Sequence, residues 1–590
     1  MMSVQSFRVE IPDTEYYRRQ VPCQAACPVR TAAGSYVQAI WAGDYEEAYR
    51  LARQPNPFVY TCARICDHPC ESLCRRGQID RPVAICALKR TATDHHNLSL
   101  GHGAGATPAA PTRERVVVIG AGPAGLACAH DLALLGYHVQ VFDAAPVAGG
   151  MLHLGLPGYR LPRDVLQLEI DAIANLGVVL HLNMRIGRDI TLRELRGSYA
   201  AIFIAVGCTK SRDLAIEGAQ LDGVLNGVDF LLNVNLGYRV DLGKRVVVVG
   251  GGNVAVDVAR SVVRRGLDVD ALGQDELRDT LREVQSVLAR VADDESAARD
   301  ERSLIVDVAR LALRRGAKEV RLVCLESRDQ MPAHPWEVEE ADREGIEIHA
   351  SRGPKRIVGA DGRVTGLETL VCTSVFDQDG RFNPQFRPGS EEVMAADSVI
   401  LAIGQQTDLS LVRPEDGIEV TRRGSIAVDP ETLATSASGV YAGGDAAVGP
   451  RNVIAAIADG RRAAASIDRQ LGGRRHVRAR ARFMPLARHQ MPQGYHRIPR
   501  QAMPTLALDR RIGIAEIELG YSDEQAHDEA ARCLRCNIQT IFDSAACILC
   551  GGCVDVCPEF CLRFVALDDV QGDEVATLAQ ALIPDPSDRR

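Results

Sequence analysis

Cysteine is the residue type whose spacing in this chain most directly indicates chemistry. Fourteen of the 18 cysteines lie in two short segments, one near each end of the chain. In a reducing compartment, such dense thiol clusters bind metal more often than they form disulfides. The other cysteines are spread between the two segments and are expected to be ordinary buried side chains. They are Cys128, Cys208, Cys324 and Cys372.

The carboxyl-terminal cysteines include the run ACILCGGCVDVCPEFC. Its spacing, Cys-x2-Cys-x2-Cys-x3-Cys-Pro, is typical of bacterial ferredoxins that hold 4Fe-4S clusters, whereas zinc sites use two separated Cys-x2-Cys pairs. The candidate ligands in this segment are Cys533, Cys536, Cys547, Cys550, Cys553, Cys557 and Cys561. One cluster is predicted. A second cluster could draw on the outer thiols, Cys533, Cys536, Cys557 and Cys561.

The amino-terminal cysteines have a different spacing. A Cys-x3-Cys-Pro motif is followed by four cysteines at intervals of four residues, and then by one more cysteine. Thiols at this density predict metal ligation among helical segments. The candidate ligands are Cys23, Cys27, Cys62, Cys66, Cys70, Cys74 and Cys86.

A first glycine-rich turn follows the apolar strand RVVVI. Gly120, Gly122 and Gly125 form the pattern G-x-G-x-x-G between this strand and a helical segment. Such glycines permit a tight turn, the approach of a pyrophosphate to backbone N–H groups, and close packing of the helix on the strand. Asp143 ends the next strand, where a carboxylate accepts hydrogen bonds from ribose hydroxyls. These residues predict a dinucleotide site.

A second unit of this kind is KRVVVVGGGNVAVDVAR. Its turn residues are Gly250, Gly252, Asn253 and Ala255. The segment VDVARSVVRRG recurs as VDVARLALRRG about fifty residues later, which indicates a helical insertion rather than a repeat architecture. After this offset is subtracted, Glu326 falls at the strand end that selects the nucleotide. A carboxylate there repels a 2′-phosphate, so NADH is favoured over NADPH, although Arg328 is nearby.

Two dinucleotide sites, together with Gly149-Gly150 and the late segment GVYAGGDAA, indicate a flavoprotein reduced by a nicotinamide nucleotide. From about residue 20 to residue 470, the chain resembles the family of the glutamate synthase small subunit. This family includes the amino-terminal part of dihydropyrimidine dehydrogenase and the large subunit of NADH-dependent ferredoxin:NADP oxidoreductase. The motifs that carry the resemblance are CQAACP, CARICDHPCESLCRR, IGAGPAGLACA, GGMLHLGLPGYRLP, GGGNVAVDVAR, SRDQMPA, ILAIGQ and YAGGDAAVGP.

The resemblance implies that FAD occupies the first site, bordered by Gly149, Gly150 and Gly444. Asp445 would then hydrogen-bond the ribityl and phosphate region of the cofactor. The helix that begins near Asn452 would direct its positive end at the flavin. Because no Cys-x4-Cys pair follows Gly150, disulfide chemistry beside the flavin is not expected.

The resemblance also implies two 4Fe-4S clusters in the amino-terminal domain. Cys27, Cys66 and Cys70 would hold the flavin-proximal cluster, with a fourth ligand in the segment Cys86–Lys89. The distal cluster would use Cys23, Cys74 and Cys62. The chain departs from the family pattern because the Cys-x2-Cys pair expected just before Cys23 is absent. Two to four clusters are expected in the whole chain, with a zinc-stapled helical domain as the alternative at the amino end.

The expected function is electron transfer between NAD(P)H, with NADH favoured, and ferredoxin or a larger redox complex such as a 2-oxoacid:ferredoxin oxidoreductase. A flavin accepts hydride and releases single electrons, which explains why nicotinamide and iron–sulfur sites share one chain. No acid–base catalytic residue is predicted. One alternative is a glutamate synthase small subunit proper, which serves a separate amidotransferase chain. Another is an electron-relay subunit with a vestigial nucleotide site.

The composition agrees with a large multidomain protein. A chain of 590 residues is expected to form about three to five domains. The net charge of −9 argues against nucleic-acid binding, and no uninterrupted apolar run is long enough to predict a membrane span. The amino end lacks the layout of a secretory signal, so we expect a cytoplasmic location. A hetero-oligomeric complex is also expected.

These segments predict an α/β fold with two Rossmann-like domains, for FAD and NAD(P), between a helical iron–sulfur domain and a small ferredoxin-like domain. A short helix is predicted over Asp523–Ala531, and helical periodicity extends over Ser35–Arg53. The expected boundaries are 1–96 for the helical domain, 97–113 for a linker, 114–240 with 395–471 for the FAD domain, 241–394 for the NAD(P) domain with a helical insertion at about 267–303, 472–522 for an extended connector and 523–590 for the ferredoxin-like domain.

Overall fold

A computed structural model describes residues 7–8, 19–96, 114–238, 240–264, 317–472, 491–511, 514–538, 550, 554 and 570–571. The predicted linker 97–113, the predicted insertion 267–303 and most of the predicted ferredoxin-like domain lie outside these residues. Four candidate ligands also lie outside them, namely Cys547, Cys553, Cys557 and Cys561. Cys550 is described and is exposed.

Residues 19–96 form a helical domain. Its helices are α1 (Pro22–Ala26), α2 (Ala33–Trp41), α3 (Tyr45–Arg53), α4 (Val59–Ile65), α5 (Pro69–Ser72) and α6 (Ile85–His95), with a 3-10 turn at Arg75–Gln78. The predicted helical stretch Ser35–Arg53 is divided because Gly43 adopts a φ of +77°. The Asp44 carboxylate then caps α3 by accepting the Glu47 N–H at 3.0 Å. This break allows α3 to pack back against α2.

The first sheet follows the first glycine-rich turn. Its strands are β2 (Arg115–Ile119), β3 (His138–Phe142), β4 (Val179–His181), β5 (Ala201–Ile204) and β17 (Val440–Ala442), all parallel in the order β17-β5-β2-β3-β4. The helices of this part are α7 (Pro123–Leu134), α8 (Met151–Leu154), α9 (Arg163–Ala174), α10 (Leu192–Ser198), α14 (Asp445–Val448) and α15 (Val453–Gln470). The valines of β2 are buried, as expected for a parallel strand covered on both faces.

The second sheet contains the other glycine-rich turn. Its strands are β7 (Val224–Asn226), β8 (Arg245–Val249), β9 (Glu319–Val323), β10 (Glu347–His349) and β15 (Ser398–Leu401), all parallel in the order β10-β9-β8-β15-β7. The helices of this part are α11 (Gly227–Asn235), α12 (Asn253–Val263) and α13 (Pro335–Arg343). An antiparallel sheet is joined to this part, formed by β11 (Arg352–Ala360), β12 (Arg363–Phe376), β13 (Phe382–Phe386) and β14 (Glu392–Ala395).

Both domain boundaries between the two parallel sheets differ from the predicted ones. We expected residues 224–226 and 398–401 in the FAD domain, but β15 inserts between β7 and β8 in the second sheet. Every residue of β15 is buried, and this central position satisfies both edges of the strand with hydrogen bonds. The chain therefore enters the second sheet before residue 224 and leaves it after residue 401. A short antiparallel pair, β6 (Lys210–Ser211) with β16 (Gln405–Gln406), lies at the two crossings.

The connector and the helix after it pack on the amino-terminal helical domain. The connector is described from residue 491 and contains 3-10 turns at Tyr495–Arg497 and Leu508–Arg510. Helix α16 (Asp523–Ala531) has the predicted bounds and begins with a Ser522–Gln525 capping box. It contacts α2 and α6, so residues 523–538 belong with the helical domain. The predicted ferredoxin-like domain therefore begins later than residue 523.

One hydrophobic core joins the helical domain to the first sheet. It includes Tyr36 and Phe58 from the helical domain and Leu126 and Phe203 from the sheet region. Five cysteines of the helical domain and Ala121 of the first glycine-rich turn belong to this same core. Near the chain ends, β1 (Phe7–Arg8) pairs in parallel with β18 (Val570–Gln571). Within the described ranges, no helix is long and apolar enough to cross a membrane.

Candidate functional site

Two glycines of the first glycine-rich turn leave no room for a side chain. A β-carbon on Gly120 would lie 2.3 Å from the Ala205 carbonyl oxygen, and its φ of +109° also favours glycine. A β-carbon on Gly125 would lie 1.9 Å from the Gly120 carbonyl oxygen. Helix α7 therefore packs directly on the strand, and its amino end, preceded by Gly122, forms the turn expected of a pyrophosphate site.

Two further predicted residues lie against this turn. A β-carbon on Gly150 would lie 2.8 Å from the Cα of Gly122, and the Gly149 N–H donates to the Ala121 carbonyl at 2.8 Å. The Asp143 carboxylate accepts the Ala121 N–H at 2.6 Å, and burial raises the pKa of this carboxyl. Asp143 therefore also holds the turn in shape, a role that the sequence did not indicate.

The carboxyl-terminal part of the first sheet places a helix amino end near the same turn. Asn452 caps α15 by accepting the Ala455 N–H at 2.9 Å, so the helix begins where we predicted. A β-carbon on Gly444 would lie 3.0 Å from the Ala124 side chain. Burial raises the pKa of the adjacent Asp445 to about 6, and its carboxylate accepts the Arg451 N–H at 3.1 Å. A tight turn, a helix end and a buried carboxyl fit FAD.

The second glycine-rich turn repeats this construction. A β-carbon on Gly250 would lie 2.4 Å from the Ala402 carbonyl oxygen. Gly252 precedes α12, and Ala255 is fully buried in the helix. The Asn253 side chain accepts the His334 N–H at 2.9 Å, which ties the helix to the start of α13. The turn is shaped for a second dinucleotide.

Glu326 lies directly over this second turn. Its carboxylate would be 2.7 Å from a β-carbon placed on Gly251, which agrees with the predicted position beside the nucleotide ribose. The Arg328 guanidinium is paired with Asp342. The acidic side chain is therefore at the turn, while the nearby cation already has an anionic partner.

A group of buried thiols surrounds Lys89 in the helical domain. Cys66, Cys70 and Cys86 are buried, and Lys89 is only 6% exposed. Burial acts to lower the pKa of Lys89, but Tyr36 and then the thiols of Cys66 and Cys86 hold it well above its ordinary value. A buried ammonium needs a negative partner, and a thiolate-ligated iron–sulfur cluster supplies one. These residues fit the predicted proximal cluster. The structure also buries Cys27.

The proximal thiols are connected to both nucleotide domains. Asp67, which follows Cys66, accepts a hydrogen bond from the Asn452 amide at 2.7 Å. The next residue, His68, stacks on Trp336 with ring centroids 5.3 Å apart, and Trp336 stacks on His334 at 4.4 Å. One loop of the helical domain therefore contacts the start of α15 and the start of α13.

Four cysteines from opposite ends of the chain line one pocket, which we call the composite site. They are Cys23, Cys74, Cys533 and Cys536. Burial raises the pKa of Cys23 to about 11, with Cys74 and Cys536 as the next contributors. Burial also raises the pKa of Cys533 to about 12, with Cys23, Cys74 and Cys536 adding to the rise. The four sulfurs are close enough to influence one another.

The structure places three of the candidate ligands differently from the sequence-based grouping. Cys533 and Cys536 were candidates for a second cluster with Cys557 and Cys561, but they lie beside the amino-terminal thiols because α16 packs on α2. Cys62 was expected to complete the distal cluster, but it does not line the composite site. It is fully buried on α4, where Cys66 and Glu169 are among the groups that influence its pKa. Two sequence features could have indicated that Cys533 and Cys536 lie beside Cys23 and Cys74. The Cys-x2-Cys pair expected before Cys23 is missing, and a surplus pair is present at Cys533–Cys536.

Other cysteines behave as predicted. The four that lie between the clusters are buried, namely Cys128, Cys208, Cys324 and Cys372. Among the residues the structure describes, no three His, Cys, Asp or Glu side chains close around a point that could hold a single metal ion. The composite thiols instead line a pocket that is partly open to solvent. Four thiols that line a pocket without closing around one point suit a cluster better than a zinc ion.

Two shaped dinucleotide turns beside buried thiol groups define an iron–sulfur flavoprotein oxidoreductase that uses NAD(P)H. Residues 114–460 match the family pyridine nucleotide-disulphide oxidoreductase, and residues 17–99 match dihydropyrimidine dehydrogenase domain II, 4Fe-4S cluster. The chain belongs to the pyridine nucleotide-disulphide oxidoreductase family. It carries an iron–sulfur domain at the amino end, as the resemblance implied.

Several curated proteins are similar over most of the chain. NADP(+)-dependent formate dehydrogenase subunit beta of Moorella thermoacetica is 37% identical over 556 residues, which cover 87% of this chain and 70% of that protein. NADPH-Fe(3+) oxidoreductase subunit beta of Geobacter sulfurreducens is 34% identical and covers 87% and 75%. The glutamate synthase [NADPH] small chain of Azospirillum brasilense is 33% identical and covers 75% and 85%.

Proposed function

We propose that this chain is the subunit that passes electrons between a nicotinamide nucleotide and ferredoxin or a partner redox enzyme. The contact between Asp67 and Asn452 carries the proposal, because it joins the loop after Cys66 to the helix end expected to face the flavin. Bound FAD would supply the change from two-electron to one-electron chemistry. The protein contributes the two shaped turns and the fixed position of the proximal thiols.

NADH is the proposed nucleotide. Glu326 lies at the second turn, where a carboxylate binds ribose hydroxyls and repels a 2′-phosphate. Arg328, which could otherwise attract that phosphate, is paired with Asp342. Three relatives carry NADP or NADPH in their names, so the nucleotide preference of this chain needs a direct measurement.

Partner subunits are also part of the proposal. The similar proteins are named as beta subunits or small chains, so we infer that this chain works in a hetero-oligomeric complex. The similarity to the beta subunits extends over 87% of the chain, against 75% for the glutamate synthase small chain. This difference favours an oxidoreductase beta subunit, with a glutamate synthase small chain as the second candidate. Co-purification with an amidotransferase chain would favour the second candidate.

Stopped-flow mixing under anaerobic conditions tests the proposal. NADH should bleach the flavin absorbance and then reduce the iron–sulfur absorbance, with a higher kcat/KM than NADPH. Equal or reversed values for the two nucleotides would overturn the NADH assignment and leave the electron-transfer role intact. Failure of both nucleotides to bleach a fully loaded flavin would instead indicate an electron-relay subunit with a vestigial nucleotide site.

A further inference from the structure

We propose that the composite site holds one 4Fe-4S cluster whose ligands come from both ends of the chain. Its thiolates are Cys23, Cys74, Cys533 and Cys536. The proposal rests on the chain being an iron–sulfur protein, but it does not depend on the choice of nucleotide or electron acceptor. It replaces the amino-terminal Cys-x2-Cys pair, which this sequence lacks, by the carboxyl-terminal pair Cys533–Cys536.

The walls of the composite site suit an anionic cluster. Apolar side chains cover most of the pocket, among them Val37 and Ile85. Arg75 and Arg76 also line it. A 4Fe-4S core with four thiolate ligands carries a net negative charge. Arg76 is already paired with Asp80, but the Arg75 guanidinium, which is close to Cys536, would attract this charge, and the apolar wall strengthens the attraction by excluding water. Four neutral thiols would gain no comparable electrostatic stabilisation from the same surroundings.

The local backbone at Cys533–Cys536 has the shape of a metal-binding turn. Arg535 takes a φ of +53°, a strained conformation for a residue with a side chain. This turn allows the Arg535 N–H to donate to the Cys533 sulfur at 3.4 Å. N–H groups directed at cluster sulfurs are a recognised means of tuning cluster potential. The strain is explained if the turn must present two sulfurs to one cluster.

The position of this turn is fixed by contacts that need no metal. Arg532 is fully buried and bonds Asp80 at 3.0 Å and Glu529 at 2.6 Å. Beyond the turn, Asn537 accepts a hydrogen bond from the Gln38 amide at 2.6 Å. The pair Cys533–Cys536 is therefore anchored to the helical domain on both sides. Its place beside Cys23 and Cys74 is a property of the fold.

The proposed ligation also gives each cluster the four cysteine ligands that it requires. With the pair moved, the helical domain is surrounded by nine cysteines, and the carboxyl-terminal run retains five. Two clusters at the helical domain use eight thiols, and Cys62, which lies away from the composite site, is the ninth. The run retains enough for one cluster. We therefore expect three clusters, or about 12 iron atoms per chain.

Iron analysis of single and double variants tests the shared ligation. Cys23→Ser and Cys533→Ser should each lower the iron content of the anaerobically purified full chain from about 12 to about 8. Because both thiols would serve one cluster, the double variant should also retain about 8. Cys372→Ser, a buried cysteine of the antiparallel sheet, is the matched control and should retain about 12. A fall to about 4 in the double variant would refute a shared cluster.

Alkylation of exposed thiols gives a second readout. In folded Cys23→Ser protein, iodoacetamide should label Cys533 and Cys536, while the cysteines of the carboxyl-terminal run stay protected. Protection of Cys533 and Cys536 in that variant would refute the proposal. If the variants do not fold, dibromobimane applied to iron-depleted wild-type protein should cross-link the peptide of Cys23 or Cys74 to that of Cys533–Cys536. Absence of this cross-link would refute it equally.

The same samples separate this proposal from the proposed function. NADH bleaching of the flavin is measured on wild-type protein and on each variant. Unchanged iron in Cys533→Ser, with flavin bleaching intact, would overturn the composite cluster alone. The expected iron loss in protein whose wild-type flavin is bleached by neither NADH nor NADPH would support the cluster and overturn the proposed function alone.

Discussion

Glu326 is the residue through which we propose that the chain selects its nucleotide. It lies over the turn of the second sheet, against Gly251. At this strand end a carboxylate accepts hydrogen bonds from a free 2′-hydroxyl, and it faces a 2′-phosphate with like charge. Like charges placed together in a binding site cost several kcal/mol. The neighbouring ion pair between Arg328 and Asp342 leaves this repulsion uncompensated.

Glu326→Gln should shift the preference toward NADPH. Removal of the negative charge should raise the ratio of kcat/KM for NADPH over NADH by about tenfold or more, which corresponds to about 1.4 kcal/mol. Steady-state reduction of an artificial electron acceptor by each nucleotide measures this ratio. Glu339→Gln, an exposed glutamate on α13, is the control and should leave it unchanged. An unchanged ratio in Glu326→Gln would show that another group selects the nucleotide.

At the scale of elements, Glu169 joins the flavin domain to the cluster domain. This residue of α9 is 3% exposed, and its carboxylate accepts the N–H groups of Tyr60 and Thr61 at 2.7 and 3.0 Å. These donors belong to the first turn of α4, whose N–H groups have no partner within the helix. Burial nevertheless raises the pKa of Glu169 to about 7.

This raised pKa predicts a pH-dependent interface. A carboxyl group whose pKa is higher in the folded state than in the unfolded state stabilises the fold at pH values below its unfolded-state pKa. This stabilisation is lost as the pH rises through the folded-state pKa. Relative to Glu169→Gln, the free energy of unfolding of the wild-type protein should fall by at most about 3 kcal/mol between pH 4.5 and about 7. Its melting temperature should fall over the same pH range. Thermal unfolding followed by circular dichroism measures the difference. Glu431→Gln, at an exposed position, should show the wild-type slope, and a wild-type slope in Glu169→Gln would contradict the prediction.

Local patterns predicted the elements well, and distant pairings poorly. The glycine turns and the bounds of α16 depend on neighbouring residues, so periodicity and local sequence signals locate them. The start of α15 at Asn452 was predicted from the family resemblance. The strands β7 and β15 were assigned to the wrong sheet, because the sequence of a short apolar strand does not identify the strands with which it pairs. The partners of Cys533 were missed for the same reason, since about five hundred residues separate it from Cys23.

At the scale of the whole molecule, two buried arginines hold the end of the chain on its beginning. Arg76 and Arg532 are both fully buried. Arg76 bonds Asp80 at 2.6 Å and the Tyr495 carbonyl at 2.9 Å, while Arg532 bonds the same aspartate. The connector and α16 are thereby fastened to the helical domain by two arginines that water does not reach, although their shared partner Asp80 is exposed.

Arg532→Met should loosen this attachment severely. It leaves the buried Glu529 carboxylate without its cation, and removing one partner of a buried ion pair costs about 3–5 kcal/mol. Limited proteolysis should then cut the chain between residues 491 and 538 faster than in wild type, with a lower melting temperature. Arg497→Met, at an exposed position, should be cut at the wild-type rate. Wild-type proteolysis of Arg532→Met would show that the other contacts hold the arm without this arginine.

The meeting of Cys23 with Cys533 has a consequence for how the protein is made. The amino-terminal domain leaves the ribosome long before residue 533 is translated. During synthesis, the composite site therefore has only two of its four thiols. If the composite site holds the proposed cluster, its iron is delivered only after translation of nearly the whole chain, whereas the proposed proximal thiols are complete within the first 86 residues. Once filled, the cluster would close a loop of more than five hundred residues, as a covalent cross-link does. Truncated chains that end before Cys533 would leave the ribosome with an incomplete composite site.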